Sequence, residues 1–167
     1  MSKILWALLY LCLFLCLNLR GSHYSFGQVE PDVLSPEKLG ISGLSIDTEK
    51  NTFLSMLGQP DSIISHIDEF EGTTFYEYVY LNSSFYISNG VFTSFDIRDN
   101  SFQFDYGEIE VGDRAENLEP IFPKSYANRE RSTTKSTVRV KIGETEAYIL
   151  FICCHSIITR IMIWEDI

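Results

Sequence analysis

Basic residues and methionine are scarce in this 167-residue chain. Its 13 lysines and arginines oppose 23 acids, which gives a formal net charge of −10. Such an acidic field repels phosphate backbones and anionic lipid surfaces. Nucleic acid is therefore excluded as an expected partner, and basic or neutral partners are favoured. With only three methionines, the chain also lacks the adaptable Met-rich surface that is typical of proteins with many clients.

Recognisable catalytic motifs are also missing. The sequence has no Gly-x-Ser-x-Gly elbow and no glycine-rich phosphate loop. His66 and His155 lie in no catalytic pattern, and Asp96 and Asp99 are interpreted as strand-end and turn carboxylates. We therefore expect no catalysis and no cofactor. A small enzyme with a spatially assembled site stays an alternative.

Cysteine is rare in the rest of the chain. After the N-terminal region only Cys153 and Cys154 remain. They are adjacent in a strand-like run, so their side chains are expected to point to opposite faces of a sheet. We interpret them as small hydrophobic residues, with a strained vicinal disulfide or a reactive thiol pair as the alternatives. His155 beside them adds too few ligands for a four-coordinate metal. The acidic turn at 68–72 lacks the alternating oxygen ligands of a calcium loop and is expected to be a solvated turn, so no metal site is predicted.

The N-terminal region is typical of a cleavable signal peptide. Lys3 is the only charged residue before the apolar run from Ile4 to Leu17, which is the order of a charged n-region and an apolar h-region. The run is shorter than the roughly 20 apolar residues of a transmembrane span, and Arg20 soon follows it. We expect cleavage after Gly27, with a cut after Ser22 as the alternative, and export to the periplasm or the exterior.

Removing residues 1–27 leaves one acidic domain without a lipid anchor. Lys3 and Arg20 are lost with no acid, so 23 acids stand against 11 bases, a formal net charge of −12. A lipoprotein needs a small residue before its acylated cysteine, whereas leucine precedes both Cys12 and Cys16. About 140 residues remain, enough to bury one hydrophobic core without disulfides.

One short helix is predicted near the start of the domain. Residues 28–42 carry prolines and a glycine among polar neighbours and are expected to be irregular. Thr48 is a candidate N-cap, and the apolar residues that begin at Phe53 share one helical face. Gly58 with a following proline supplies a stop signal. The pattern predicts a helix over Glu49–Leu57.

After this helix the hydrophobic period changes from 3.6 to 2, which predicts strands. Asn89-Gly90 is the clearest turn signal, because a type I′ hairpin turn needs positive φ at both central residues. The strands in succession favour antiparallel meanders. The predicted strands are Ser62–Ile67, Thr73–Leu81, Ser84–Ser88, Val91–Ile97, Ser136–Ile142, Glu146–Cys153 and Ile157–Trp164.

The helix pattern returns 65 residues further along the chain. Val111–Pro123 can be laid over Ile46–Gly58, which places Leu118 where Phe53 stands. Pro120 is expected to distort or end this second helix. A polar stretch follows, expected to be a loop, and then the last three strands.

The two patterns together resemble the β-lactamase-inhibitor-like (BLIP-like) fold, over roughly residues 43–165. The motif Leu57-Gly58-Gln59-Pro60-Asp61 is similar to the "LGxPd" that closes the helix in that group, whose single-repeat relatives include the SmpA/OmlA-type assembly lipoproteins. The second copy departs from it, with Phe122-Pro123 in place of Leu-Gly, and the lipoprotein signal is absent. The resemblance implies a short helical segment before an antiparallel sheet, and action by binding other proteins.

The predicted fold class is therefore α+β. We expect two helix-plus-antiparallel-meander repeats, about residues 43–106 and 107–167, with the helices on one face of the sheet. Whether the two halves share one sheet stays open.

A sheet covered by helices on one face leaves its other face for binding. Three tyrosines, at 76, 78 and 80, share one side of a single strand, and such rings supply large, rigid contact area. The alternative is that these rings belong to the core or stabilise the sheet by cross-strand pairing. The candidate binding residues are Tyr76, Tyr78, Tyr80, Tyr86, Phe92, Arg139, Arg160 and Trp164.

The expected function is that of an exported, non-enzymatic module that binds another protein of the envelope or exterior through this aromatic and basic face. An envelope scaffold or chaperone-like accessory protein is the alternative within the binding class. The sequence predicts no membrane span after signal cleavage and does not fix the oligomeric state.

Overall fold

The computed structural model describes residues 30–68 and 72–165. The predicted signal peptide and its cleavage site lie outside the described residues, as does most of the acidic turn that follows Asp68. No helix within 30–68 and 72–165 is long and apolar enough to cross a membrane.

The fold is mixed α+β and mostly sheet. The described residues form a large sheet of nine strands. They are β1 (Val33–Leu34), β4 (Ser62–Ile67), β5 (Thr74–Tyr80), β6 (Ser83–Ser88), β7 (Val91–Ile97), β10 (Glu130–Arg131), β11 (Lys135–Ile142), β12 (Ala147–Cys154) and β13 (Ile157–Glu165). Their order across the sheet is β1-β11-β12-β13-β7-β6-β5-β4, with β10 beside β11. Only the pairing of β1 with β11 is parallel.

A small second sheet and short helices complete the described chain. The small sheet has the order β3-β2-β8-β9, built from β2 (Gly40–Ile41), β3 (Leu44–Ser45), β8 (Gln103–Phe104) and β9 (Ile109–Glu110). The helices are α1 (Lys50–Leu57) and α2 (Pro123–Ala127), with 3₁₀ turns at Pro36–Lys38 and Ala115–Leu118.

The strands and the first helix confirm the hydrophobic periods of the sequence. β4 and β7 have the predicted bounds, and the other predicted strands differ by one residue at one or both ends. Asn89 and Gly90 have φ values of 51° and 80°, as a type I′ turn requires. Thr48 is not the N-cap that was expected, because its hydroxyl donates to the Ser45 carbonyl (2.6 Å) and Glu49 takes the capping position.

Two segments differ in detail from the sequence pattern. The described part of 28–42 is only partly irregular, since it supplies β1 and β2 and buries Leu34, Leu39 and Ile41. The second helical pattern forms a 3₁₀ turn that ends before Pro120, as was expected of this proline. The separate helix α2 follows and begins at Pro123, because proline fits the first turn of a helix.

Both meanders belong to one sheet, which the sequence left open. β13 pairs antiparallel with β7 through Ile161 opposite Ile97 and Met162 opposite Asp96. This seam is short compared with the hairpins on either side, which pair along most of their length. Side-chain contacts on the two faces of the sheet therefore contribute to holding the halves together.

A row of phenylalanines crosses the seam on the covered face. Phe53 of α1 packs against Phe85 and Phe92, each with ring centroids 5.4 Å apart. Beyond the seam, Phe104 of the small sheet contacts Phe151 at 5.6 Å, and Phe122 contacts Phe151 at the same distance. All are fully or nearly fully buried, so α1, the small sheet and the segment before α2 share one core on one side of the large sheet.

Truncation of Phe53 tests the contribution of α1 to this core. We expect Phe53→Ala to lower the free energy of unfolding by about 3–5 kcal/mol, because it leaves a cavity among four aromatic rings. Met56→Ala on the same helix is the control, since Met56 is 51% exposed and should change stability by less than about 0.5 kcal/mol. Urea denaturation measures both. Equal losses in the two variants would contradict the packing described here.

Candidate functional site

The face of the large sheet that points away from α1 is the candidate site, called the open face below. The described helices and the small sheet pack against the opposite side, through Phe53, Phe104 and Phe122. Strand register fixes which side chains share the open face. They include Lys135, Thr137, Arg139, Lys141, Tyr148, Leu150, Ile152, Cys154, Ile157, Arg160, Met162, Trp164, Val91, Ser94, Asp96, Ser84, Tyr86, Ser88, Phe75, Glu77, Val79, Ser62, Ile64 and His66.

The structure places four of the eight predicted binding residues on the open face. These are Tyr86, Arg139, Arg160 and Trp164. All four carry polar or charged groups at their tips and are at least partly accessible. For these four residues, the predicted mixture of basic and aromatic side chains on one face is therefore present.

The other four predicted residues lie on the covered side, which corrects their assignment to an open surface. Tyr78, Tyr80 and Phe92 are buried, and all three rings pack against Phe53 of α1. Tyr76 shares their side of the sheet but lies beyond α1 and is 43% exposed. The alternation within β5 was correct, but the grouping of Tyr86 with the three tyrosines was wrong, because Tyr86 lies opposite Glu77 on the other face. The alternation also does not tell which side of a strand the helix covers.

Tyr80 has a structural role at the end of α1. Its hydroxyl donates to the Gly58 carbonyl at 2.8 Å, just past the last helical residue. Burial, helped by the nearby Tyr78 and Asp61, raises the pKa of Tyr80 to about 12. The buried hydroxyl is thus hydrogen-bonded inside the fold, as a buried polar group requires.

An apolar strip crosses the open face along β12 and β13. We define it as Tyr148, Leu150, Ile152, Met162 and Trp164, which are all half-buried except for Trp164, at 45% exposed. The residues pair directly across the two strands, Tyr148 with Trp164 and Leu150 with Met162. Of these five residues, only Trp164 was among the predicted binding residues. The alternation of β12 contained the signal for Tyr148, Leu150 and Ile152, and that of β13 the signal for Met162. Both sides of these strands carry apolar residues, so neither side stood out.

A buried carboxylate lies beside this strip. Asp96 on β7 is 5% exposed, and its two oxygens accept hydrogen bonds from Arg160 on β13 (2.6 and 2.8 Å) and from Arg98 (2.7 and 3.1 Å). Burial alone would raise the pKa of Asp96, but the hydrogen bonds and charges of Arg160 and Arg98 outweigh it and hold that pKa below its ordinary value. Asp96 was interpreted as a strand-end carboxylate. Its hydrogen bond with Arg160 instead makes it one of the links between the two meanders.

A second polar group surrounds Glu77. One carboxylate oxygen of Glu77 is 2.9 Å from Nε2 of His66, and the other accepts a hydrogen bond from the Ser84 hydroxyl at 2.6 Å. The His66 ring stacks on Phe75, with centroids 5.0 Å apart. Tyr86 lies opposite Glu77, and burial with the charges of Glu77 and Asp96 raises its pKa.

This arrangement does not have the hydrogen-bond order of a catalytic triad. In a triad the histidine contacts the nucleophilic hydroxyl and the acid lies behind the histidine. Here Glu77 lies between Ser84 and His66, so the serine donates to the carboxylate and not to the histidine. These contacts of Glu77 instead fix side chains of three neighbouring strands on the open face.

The two cysteines occupy the opposite faces that were predicted, and both are free thiols. Burial raises the pKa of Cys153, although a hydrogen bond with Ser136 and the charge of Arg129 partly offset it. A raised thiol pKa lowers the fraction of reactive thiolate. Cys154 lies 3.3 Å from Nδ1 of His155. Within the described residues, no group of three potential ligands is placed to hold a metal ion.

The charge of the open face differs from that of the whole chain. Five cations, Lys135, Arg139, Lys141, Arg160 and Arg98, point to this face or reach it, against three acids, Glu77, Asp96 and Glu130. The chain as a whole carries a formal net charge of −10. The guanidinium of Arg139 lies 5.1 Å from the ring centre of Tyr148, which brings the cations to the edge of the apolar strip.

Comparisons with known proteins gave no match. No protein-family model matches the chain, and neither the search of curated proteins nor that of solved structures found a significant similarity. The function must therefore be argued from the chain's own residues.

Replacing Asp96 tests the link between the two meanders. We expect Asp96→Asn to lower the free energy of unfolding by about 2 kcal/mol at pH 7, because two arginines lose a charged acceptor. The pKa of Asp96 is lower in the folded state, so its stabilisation is fully present above the ordinary pKa of about 3.9 and is lost as the pH falls through the lower, folded value.

The difference between wild type and variant should therefore stay constant from pH 7 to about pH 4 and shrink at lower pH. Urea denaturation across this range measures it. Glu144→Gln, at an exposed position in the turn after β11, is the control and should change stability little. A difference between wild type and Asp96→Asn that is independent of pH would show that the charge of Asp96 does not stabilise the fold.

Proposed function

We propose that this protein is an exported, non-enzymatic binding module whose open face receives another protein. The observation that carries the proposal is the apolar strip, which the described helices leave uncovered, with cations at its edge. Tyrosine, tryptophan, methionine and arginine are the residues enriched where proteins bind each other. The binding residues are the apolar strip together with Tyr86, Arg139 and Arg160.

The charge of the open face defines the partner that fits it. The partner presents an apolar ridge that covers the strip, and carboxylates that meet Arg139 and Lys141 on the neighbouring strand. The rest of the chain is acidic and repels carboxylates of the partner. The orientation that places these carboxylates on the open face is therefore favoured. Electrostatic complementarity of this kind selects the orientation of a complex more than its affinity.

The clamped polar groups support binding by a rigid surface. Asp96 holds two arginines, and Glu77 holds Ser84 and His66, so these side chains are already ordered before a partner arrives. Side chains fixed in advance lose less entropy on binding. This favours a dedicated partner over a wide range of clients.

We also propose that the fold is BLIP-like and consists of two repeats. The 65-residue offset places Leu118 at the position of Phe53, and both side chains are fully buried against the same face of the sheet. Each lies in a helical turn that precedes a meander. These correspondences support a BLIP-like arrangement of two diverged halves, of which the second has a 3₁₀ turn where the first has α1.

Export is supported by the order of Lys3 and the apolar run behind it. Mass spectrometry of the protein isolated from the periplasm or medium should show a chain that begins at Gln28, or at His23 for the alternative cut. A cytoplasmic chain that still carries Lys3 would contradict export.

Paired variants on the two sides of the sheet test the binding face. Once a partner has been captured and purified, Tyr148→Ala/Trp164→Ala should weaken its binding by about 2 kcal/mol or more, roughly 30-fold in Kd, because aromatic anchors are removed. Isothermal titration calorimetry measures the loss. Circular dichroism and thermal melting should show that the variant is still folded.

The matched control removes two exposed apolar side chains from the covered side, Ile63→Ala/Tyr76→Ala. It should leave Kd within about twofold of wild type, since surface positions outside an interface contribute little. Equal weakening by both double variants, or loss only in the control, would refute the open face as the binding surface.

A further inference from the structure

A cleft at one end of the large sheet collects basic and hydroxyl side chains. It has a volume of about 240 Å³ and lies between the 3₁₀ turn at Ala115–Leu118, the segment after α2, the start of β11 and the β12–β13 turn. Its cations are Arg129, Arg131 and Lys135, with His155 beside them. Its hydroxyl-bearing residues are Ser132, Thr133, Thr134, Ser136 and Ser156.

The walls of this cleft are ordered by backbone hydrogen bonds. The turn before β11 is closed by a bond from the Ser132 N–H to the Lys135 carbonyl (2.7 Å). It is tied to the next hairpin by a bond from the His155 N–H to the Thr134 carbonyl (2.8 Å). The Ala115 N–H, on the opposite wall, donates to the Ser156 carbonyl at 2.9 Å. Three separate chain segments are thus held around one space.

Arg129 is fixed in place at the side of the cleft. Its guanidinium carbon lies 3.6 Å from the centre of the Tyr126 ring, and one of its nitrogens donates to the Tyr126 carbonyl. A guanidinium carries five N–H donors, so donors remain for a ligand after this bond is made. The stacking orders the side chain without neutralising its charge.

The charges of the cleft do not cancel. Its only acid among the described residues is Glu116, which pairs with Arg114 at 2.7 Å. Glu130, the acid between Arg129 and Arg131 in the sequence, lies on β10 and pairs with Arg139 at 3.4 Å. The cleft is therefore net positive on a chain whose formal net charge is −10.

We propose that this cleft binds a tetrahedral oxyanion of the phosphate class, held by Arg129, Arg131 and Lys135 and by the hydroxyls of the surrounding turns. Three cations and several hydroxyls on different chain segments provide more donors than a planar carboxylate accepts, whereas a phosphate group accepts bonds from all sides. The volume is below the range of clefts that enclose drug-sized ligands and fits a single small anion. The site does not depend on partner binding at the apolar strip.

Titration with inorganic phosphate tests the site. Amide NMR spectra of the purified protein are recorded with increasing sodium phosphate, and again with sodium chloride at matched ionic strength. With phosphate, we expect saturable changes in amide chemical shift that are confined to residues 129–136 and 155–156. With chloride, we expect no such changes at these residues. Shifts that do not saturate, that spread over the protein or that chloride reproduces would overturn the proposal.

Two charge-matched variants separate a built site from general attraction. Arg131→Gln/Lys135→Gln removes two exposed cations of the cleft and should weaken phosphate binding at least tenfold, since each charge-assisted hydrogen bond contributes strongly to affinity. Lys38→Gln/Lys50→Gln removes two exposed cations that do not line the cleft and should change phosphate binding less than about twofold. Equal weakening by both variants would overturn the proposal.

A comparison of ligands distinguishes the source of the anion. Methyl phosphate that binds as well as inorganic phosphate indicates a phosphate monoester as the natural ligand. Binding of inorganic phosphate alone indicates the free anion, because the cleft then has no room for the ester group. If neither of them binds in a saturable way, no oxyanion site exists.

Discussion

The contact between Asp96 and its two arginines is the constraint on which the open face depends. The two meanders meet through a short stretch of β7 and β13, and Asp96, which pairs with Met162 in this stretch, is almost fully buried. A carboxylate at this depth must be paired, since an unpaired buried charge costs far more than the contact contributes. Arg98 comes from the strand end of the first half and Arg160 from the second half. These charged hydrogen bonds thereby fix the register of β13 on β7, together with the backbone hydrogen bonds between the two strands.

The same seam is held on its other side by apolar contacts that come from outside both meanders. Phe104 belongs to the small sheet, and its ring lies between Phe95 of the first half and Phe151 of the second. One face of the seam is thus charged and the other aromatic. Because of this division, the apolar strip on β12 and β13 and the polar group around Glu77 on β5 form one continuous surface. Neither half alone presents both.

Local patterns predicted most of the strands, α1 and the Asn89-Gly90 turn, because each depends on residues close in sequence. The wrong assignment of Tyr78 and Tyr80 has a different cause. Alternation tells which residues share a side of a strand, but the covered side is decided by where α1 packs, which is a long-range property. In β5 the tyrosines are on the covered side, whereas Phe75 and Val79 point to the open face. A ranking by hydrophobicity alone would choose the opposite arrangement.

Long-range pairing also explains what the sequence did not predict at the edges of the fold. β1 is two residues long and exists because Val33 and Leu34 pair with the end of β11, more than a hundred residues away. The small sheet joins residues near 41 with residues near 104 and 109 in the same way. Strands this short carry no period. At the candidate site, Asp96 is the only acid in the apolar run Val91–Ile97. Its position in the sequence was therefore the available signal, since a charge within a buried strand requires a partner.

The acidic charge of the chain has a further physical consequence at the edge strand β4. β4 pairs only with β5 among the described strands and exposes Ile63, Ile64 and Ile67, a composition that favours pairing with another copy. In an antiparallel pair of two β4 strands centred on residues 64 and 65, Asp61 of each copy would lie opposite Asp68 of the other. Like charges directly opposite each other destabilise a strand pair. The acids at both ends of β4 therefore oppose association through this edge.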